Sequence, residues 1–197
     1  MSIQVNVNKA TSELARTIRK QLVPMLVGSP GEGKSAIGHA IANMYNLKVI
    51  DVRLSQADPA DLMGYPRIDD KTGKASYAPM DTFPLEGDVI PEGYAGWLLF
   101  FDEFNSAPRS VQAASYKVVL DKMVGQRKLH PNVAIMCAGN LETDNAIVEP
   151  MSTALQSRLV HFELAQDSDA WLEWAGSNGI DHRITSFIRY KPGNLYA

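Results

Sequence analysis

Residues 28–35 have the residue types and the spacing of a phosphate-binding loop. The pattern G-x-x-x-x-G-K-[ST] is filled by eight consecutive residues, which are Gly28, Ser29, Pro30, Gly31, Glu32, Gly33, Lys34 and Ser35. Glycines let the backbone approach phosphate oxygens, and successive N–H groups then form an anion-binding nest at a helix N-terminus. In such a loop the lysine reaches the β- and γ-phosphates and the hydroxyl ligates Mg²⁺. The segment therefore predicts a triphosphate site, and the alternative is a glycine-rich turn without a ligand.

A second segment supplies two adjacent carboxylates. Asp102 and Glu103 directly follow four apolar residues, 98–101, so we expect them at the end of a buried strand. Carboxylates there can hold a magnesium ion and activate water, and neighbouring strand-end side chains point in different directions, so the two can divide these roles. Together with the phosphate loop, the pair indicates hydrolysis of ATP. Taken alone, the pair would fit a solvated turn at a strand end.

These residues need a sheet and helices to position them. Five apolar or β-branched segments are predicted as strands, at residues 25–27, 47–52, 97–101, 133–138 and 159–164. Apolar spacing predicts a helix over residues 36–44, directly behind the loop, and another helix that begins at Pro108. Strands that alternate with helices form a parallel sheet covered on both faces. We therefore predict an α/β fold with a five-stranded parallel sheet flanked by helices.

Two regions interrupt this alternation. Residues 61–96 contain four prolines and five glycines and are too long for an ordinary connection, and residues 69–73 predict the turn of a small hairpin. This inserted segment either contacts a partner or substrate or is a plain surface excursion. From residue 167 onwards the pattern predicts short helices. The sequence thus divides into a core over residues 1–166 and the start of a small helical domain over residues 167–197.

The composition narrows the class of protein. The chain has 197 residues, of which 45% are hydrophobic, and a net charge of −3 without a run of like charges. That charge argues against a dedicated duplex-DNA binder. The single cysteine, Cys137, excludes an internal disulfide and fits a reducing compartment. Residues 1–24 lack the pattern of a secretory signal and no apolar stretch could span a bilayer, so we expect a cytoplasmic location.

The order of the motifs resembles that of AAA+ ATPases. The phosphate loop is followed by LLFFDEFN at residues 98–105, AGN at 138–140 and QSR at 156–158. Residues 54–64 and 97–105 look most like the MoxR-type branch, which occurs in bacteria and their phages. The resemblance covers residues 10–195. It implies a nucleoside-triphosphatase core followed by a helical lid, with ATP and Mg²⁺ as cofactors.

The resemblance also implies roles for individual residues. Asp102, with Ser35, would hold the magnesium ion, and Glu103 would polarise the attacking water. Asn140 resembles the polar sensor of the γ-phosphate, although Gly-Asn is also common turn chemistry. Arg158 resembles the arginine finger that reaches a neighbouring subunit's nucleotide, since a guanidinium suits the charge on the γ-phosphoryl oxygens. A lone arginine before a strand would otherwise be interpreted as a surface ion pair.

The implied function is that of a remodelling ATPase. Subunits would form a homo-oligomeric, hexameric ring, hydrolyse ATP at their interfaces and alter a protein substrate or a von Willebrand factor A-type partner, with no role for a membrane or nucleic acid. One departure from the family is the lid, in which Arg183 and Arg189 come too early to match the second arginine sensor, so we expect a truncated lid or a fragment. The alternatives are a nucleotide-gated protein-binding module with little turnover, and a small-molecule kinase.

Overall fold

A central parallel sheet organises the protein. The computed structural model describes residues 2–141 and 148–195. The strands of the described chain are β1 (Ile3–Val5), β2 (Val23–Val27), β3 (Leu47–Arg53), β4 (Tyr65–Ile68), β5 (Ala75–Ala78), β6 (Gly96–Asp102), β7 (Met123–Val124), β8 (Arg127–Lys128), β9 (Val133–Gly139) and β10 (Leu159–Leu164). Six of them form the sheet in the order β1-β10-β2-β9-β6-β3, and every pair is parallel. The α/β fold of a P-loop nucleoside triphosphatase is confirmed.

The predicted strand count of five is wrong by one. Each predicted strand is present within two residues of its expected bounds, and β1 is the additional sixth strand. It pairs with β10 through the register Ile3↔Phe162 to Val5↔Leu164. Three residues are too few to show a periodic pattern. The strand forms because β10 would otherwise present an unpaired edge of backbone donors and acceptors.

Helices cover both faces of the sheet. In the described chain they are α1 (Val7–Arg19), α2 (Lys34–Met44), α3 (Pro59–Met63), α4 (Arg109–Asp121), α5 (Thr153–Gln156), α6 (Ser168–Ser177) and α7 (His182–Tyr190). Strand β6 shows how the two layers arise. Its residues alternate between two buried clusters: Leu98 and Phe100 pack with residues of α1 and α2, whereas Leu99 and Phe101 pack with residues of α4. A strand buried on both faces must be apolar throughout, as this one is.

Helix α1 lies within residues 1–24, for which the sequence pattern predicts no helix. Its N-cap, Asn6, accepts a hydrogen bond from the Lys9 N–H at 3.0 Å, which satisfies one of the helix's free donors. Ala10, Leu14 and Ala15 form its buried stripe. The charged residues of the segment lie on the outer face of an amphipathic helix, and for that reason its composition looked polar.

The inserted segment contains the predicted hairpin. Strands β4 and β5 are antiparallel, and the Asp69 carboxylate accepts the N–H groups of Lys71 and Thr72 in the turn between them. These hydrogen bonds from Thr72 and Lys71 hold the pKa of Asp69 below its usual value. Strands β7 and β8 form a second hairpin, and its turn packs against the first. The two are so close that a Cβ added at Gly125 would lie 3.1 Å from the Tyr77 Cβ. Both strands of the first hairpin are exposed along their whole length.

The C-terminal helices α6 and α7 form a small unit beside α1. Each has an aspartate N-cap, Asp167 or Asp181, whose carboxylate accepts a backbone N–H of the first turn. The division between core and lid stays a prediction. Over the described ranges, no helix has the length and apolar character needed to cross a membrane.

Candidate functional site

The phosphate loop joins β2 to α2 at the carboxyl edge of the sheet. Helix α2 begins at Lys34, and its N-cap, Gly33, has φ +85°, while Gly31 has φ +82°. A Cβ added at either glycine would meet nothing within 4 Å. Glycine is therefore required here by the left-handed backbone and not by crowding. The open space beside these N–H groups suits an anion at the N-terminus of α2.

Lys34 is held inside the loop. Its side chain is only 8% exposed, and Nζ donates to the carbonyl oxygens of Gly28 at 2.8 Å and Ser29 at 2.9 Å. These bonds keep a full positive charge at the mouth of the anion-binding nest. The position agrees with the predicted contact between Lys34 and a phosphate.

The Glu32 side chain stabilises the start of the same loop. Its Oε2 accepts the Ser29 N–H at 2.7 Å. Gly28 is needed beneath it, since a Cβ there would lie 2.6 Å from Glu32 Oε2 and 3.0 Å from the Leu164 Cβ. The other oxygen, Oε1, is buried and has no hydrogen-bond partner in the described part of the chain. The contact of Glu32 with Ser29 was not predicted, because the phosphate-loop pattern leaves the residue type at position 32 free.

The two segments that were predicted to share a magnesium ion do meet. The Ser35 hydroxyl donates to Asp102 Oδ2 at 3.1 Å across 67 residues of sequence. A hydroxyl and one carboxylate are the oxygen donors that Mg²⁺ uses when most of its remaining ligands are water and phosphate. No group of three or more His, Cys, Asp or Glu suited to a metal occurs in residues 2–141 and 148–195. The oxygen donors of Ser35 and Asp102 fit Mg²⁺ by their chemistry.

Glu103 follows Asp102 directly, and its backbone N–H donates to Asp102 Oδ1 at 2.8 Å. It has φ +53°, a left-handed conformation that is rare for non-glycine residues and clusters at functional sites. Ser55, in the 3₁₀ turn that follows β3, donates its hydroxyl to Glu103 Oε2. Ser55 was not predicted as a site residue, because only the order of the strands brings it to Glu103. Because β3 and β6 are parallel neighbours, with Arg53 opposite Asp102, their ends meet at one edge.

The carboxyl edge gathers negative charge. Burial raises the pKa of Asp51 on β3, and the charge of Asp102 raises it further. The charge of Glu103 acts in the same direction, whereas the charges of Arg53 and His39 lower the pKa of Asp51. The carboxylates at this edge therefore repel one another, and a bound cation would relieve that repulsion.

Asn140 lies directly beside the phosphate loop. It follows β9, whose last residue, Gly139, is opposite Val27 of β2. The Gly28 N–H donates to the Gly139 carbonyl at 3.3 Å. Asn140 is therefore close to the loop, and its role as a sensor of the γ-phosphate stays a prediction.

Arg158 does not join this group. It precedes β10, and the pairing Leu159↔Val23 puts it at the amino edge of the sheet, whereas the loop follows Val27. Four strand residues separate these edges by about 13 Å. The guanidinium donates to the Ala154 carbonyl at 2.9 Å and lies 5.8 Å from the centre of the Tyr116 ring. Its predicted role in a neighbouring subunit stays a prediction.

A cavity of about 480 Å³ opens beside the phosphate loop. It is bounded by the loop, α1, α2, the end of β10 and α6, and its apolar walls include Val7, Trp171, Trp174 and Leu195. This size is within the range of small-molecule sites. Two tryptophans offer flat surfaces on which an aromatic base can stack.

The family described as AAA domain (dynein-related subfamily) matches residues 24–159. This range covers more than half of the chain and contains Lys34, Asp102, Glu103, Asn140 and Arg158. The chain belongs to this family. Membership of the AAA family implies that the loop binds a nucleotide, and Mg²⁺ is typical of such domains.

Solved structures show the same architecture as this AAA domain. A candidate ATPase from Cytophaga hutchinsonii superposes with a TM-score of 0.62 at 19% sequence identity. The match covers 88% of the present chain and 51% of the Cytophaga protein, so the AAA domain described above corresponds to about half of that protein's length. In all, 553 solved chains match, which shows how widely the fold is shared and why it does not identify a substrate. No curated protein sequence matches the chain.

Most of the predicted site residues of this AAA domain converge. The eight loop residues, Asp102, Glu103 and Asn140 lie at one edge of the sheet, and Arg158 lies at the other. Residues whose side chains support the site, chiefly Ser55 and Asn105, were not assigned roles from the sequence. Both lie in segments that carry the family resemblance, residues 54–64 and 97–105, but their contacts depend on partners that are distant in sequence.

Proposed function

We propose that this AAA domain binds Mg·ATP, hydrolyses it and uses the cycle to remodel another protein, as MoxR-type relatives do. The observation that carries the proposal is the contact between Ser35 and Asp102, with Glu103 next to it. It brings the two halves of a hydrolytic site to one sheet edge. A phosphate-binding loop without such a carboxylate pair would support binding alone.

The residues divide the work by their chemistry. The N–H groups of the loop and the Lys34 ammonium bind the phosphates, and Ser35 and Asp102 hold the ion. When bound, Mg²⁺ supplies positive charge that offsets the charge on the phosphate oxygens. Glu103 accepts a hydrogen bond from the attacking water and polarises it. Asn140 has both a donor and an acceptor and orients that water against the γ-phosphate.

The cavity beside the loop takes the nucleoside. Trp171 and Trp174 lie one helical turn apart on α6 and line the same space as Pro30 and Gly31. A base stacked there would connect the C-terminal helices to the phosphate loop. Nucleotide binding would then change the position of α6, which is a route from hydrolysis to movement.

Assembly is the second half of the proposal. Arg158 lies at the amino edge of its own sheet and is exposed, so its natural target is the nucleotide of an adjoining subunit. A homo-oligomeric ring, hexameric as in the family, satisfies this geometry in every subunit. The remodelled partner would be a protein, with a von Willebrand factor A-type partner favoured by the MoxR resemblance, in the cytoplasm.

The test measures binding and turnover separately. Titration calorimetry with Mg·ATP should give a binding isotherm for the wild type, and phosphate release should exceed background. K34A should lose both, because it removes the charge at the phosphates. The matched control K48A changes an exposed lysine on β3 and should behave as wild type. A wild-type protein without affinity for Mg·ATP would overturn the proposal.

A nucleotide-gated binding module is the second candidate. The observation that favours it is the β4–β5 hairpin, in which Tyr65, Ile68 and Tyr77 are all exposed, Ile68 to 67%. Such a surface suits a protein contact. Phosphate release that stays at background over a range of protein concentrations, with intact Mg·ATP affinity, would select this alternative.

A further inference from the structure

Asn105 connects the ends of two neighbouring strands. Its side chain is 5% exposed, and both ends of the amide are paired with the backbone of Asn140. Oδ1 accepts the Asn140 N–H at 3.0 Å, and Nδ2 donates to the Asn140 carbonyl at 2.8 Å. A side-chain amide that exchanges two hydrogen bonds with one residue imitates the pairing of a β-ladder. The two hydrogen bonds fix the orientation of the peptide groups on either side of the Asn140 Cα.

The sheet leaves room for this clamp. A Cβ at Gly139 would collide with Asn105 Oδ1 and would lie 2.6 Å from the Met25 Cε. Gly139 has no positive φ, so it is required here by close approach alone. The lack of a side chain at Gly139 therefore lets the Asn105 amide reach the backbone of its neighbour.

The main chain of Asn105 also bonds the segment that contains Glu149. Its carbonyl accepts the Glu149 N–H at 2.7 Å. The buried amide of Gln112 supports the same place, with Nε2 donating to the carbonyls of Ala107 at 3.1 Å and Glu149 at 3.3 Å. Asn105 is therefore anchored on one side and clamps Asn140 on the other.

We propose that Asn105 is a positioning residue for ATP hydrolysis, which holds Asn140 in register with Asp102 and Glu103. The inference rests on the proposed function, since it needs a γ-phosphate for Asn140 to contact. Asn105 comes two residues after Glu103 on the chain that leaves β6, and Asn140 comes one residue after β9. The clamp therefore sets the spacing between the group that polarises water and the group that orients it.

The test removes the hydrogen-bond donor of the Asn105 side-chain amide. N105D is nearly isosteric and keeps an acceptor for the Asn140 N–H, but it removes the donor to the Asn140 carbonyl. We expect kcat to fall by about 10²-fold, the effect of misplacing a catalytic group by about 1 Å. The dissociation constant for Mg·ATP should stay within about threefold, because the loop that binds the phosphates is intact.

Two comparisons separate positioning from a general loss of stability. N132D removes the donor of another side-chain amide, which bonds the Ala95 carbonyl at 3.0 Å at the amino edge of the same two strands, so its melting temperature should fall while kcat stays within about twofold. A double-mutant cycle joins N105D to N140A. If Asn105 acts through Asn140, the double variant should turn over no more slowly than N140A alone.

The outcomes are distinct. Wild-type protein that binds Mg·ATP without turnover contradicts the proposed function. When wild-type turnover is normal, three results contradict the role of Asn105 and leave the proposed function intact. They are an N105D variant that keeps its kcat, an N132D variant that loses as much kcat as N105D, and losses of N105D and N140A that multiply. A selective kcat loss in N105D, absent in the N140A background, supports the role.

Discussion

At the scale of single residues, Lys34 and Glu103 are each held by groups that have no proposed part in the reaction. Backbone carbonyls of Gly28 and Ser29 hold Lys34, and the hydroxyl of Ser55 holds Glu103. Such support matters because catalytic geometry is lost when a side chain can rotate freely. The supporting contacts are therefore as testable as the catalytic groups themselves.

The first residue prediction concerns Glu103. E103Q removes the carboxylate that polarises water but keeps the size and the hydrogen bond of the side chain. Phosphate release should fall by about 10²–10⁴-fold, the usual contribution of general acid–base catalysis, while calorimetry shows unchanged affinity for Mg·ATP. The control E86Q changes an exposed carboxylate in a surface loop. Equal turnover in E103Q and wild type would remove Glu103 from the mechanism.

The second residue prediction concerns Ser55. S55A deletes the hydroxyl that restrains Glu103, and a hydrogen bond to a charged group is worth about 1.5–3 kcal/mol. We expect kcat to fall about tenfold with Mg·ATP affinity unchanged, measured by phosphate release and calorimetry. S55T keeps a hydroxyl and should recover most of the activity. A threonine variant as slow as the alanine variant would mean that packing, and not the hydrogen bond, is what matters.

The sequence allowed the residues that meet at the carboxyl edge to be predicted, but not the side chains that support them. Lys34, Ser35, Asp102 and Glu103 stand in local patterns whose spacing is tied to phosphate and metal chemistry. Ser55 and Asn105 acquire their roles only because β3, β6 and β9 are neighbours in the sheet. Strand order depends on the whole chain, so no window of sequence around either residue could reveal its partner.

At the scale of elements, Gly139 at the end of β9 gives a direct test of packing. G139A adds a methyl group against Asn105 and Met25, and overpacking of this kind costs about 1–3 kcal/mol. We expect a lower free energy of unfolding in urea titrations together with reduced kcat.

The control for this prediction comes from α6. Gly176 lies inside that helix and a Cβ there would meet nothing within 4 Å. G176A should therefore stabilise the protein by about 0.5–1 kcal/mol, since alanine is the better helix former. If both variants shifted stability in the same direction, close approach at Gly139 would not be the reason for its glycine.

The elements themselves were predicted unevenly. Strand β6 is buried on both faces, so its unbroken apolar run predicted it well. Strand β1 has only three residues, and α1 has a narrow buried stripe in a charged sequence, so neither was expected. Both owe their stability to the sheet and helices that they pack against and not to their own composition.

At the scale of the whole molecule, the proposed assembly predicts an effect of protein concentration. If Arg158 completes the site of an adjoining subunit, specific activity should rise as protein concentration rises, and the mass in solution should increase with a non-hydrolysable ATP analogue. R158A should keep its affinity for Mg·ATP but lose about 10³–10⁵-fold in turnover, the usual worth of an arginine finger.

The control R183A removes another exposed arginine, one whose guanidinium bonds Asp181 at 2.7 Å. It should leave turnover and assembly unchanged. Full activity in a dilute, monomeric R158A sample would contradict hydrolysis at subunit interfaces, and would leave the binding of Mg·ATP by Lys34 unaffected.

The place of β10 has a consequence for how the protein is made. Strand β10 lies between β1 and β2, so β1 and one side of β2 remain unpaired until residue 164 has left the ribosome. At bacterial and eukaryotic translation speeds the first strand waits on the order of ten seconds for its neighbour. During this interval the nascent chain exposes unpaired strand edges, to which chaperones can bind. The nucleotide pocket, whose wall includes the end of β10, is completed among the last events of folding.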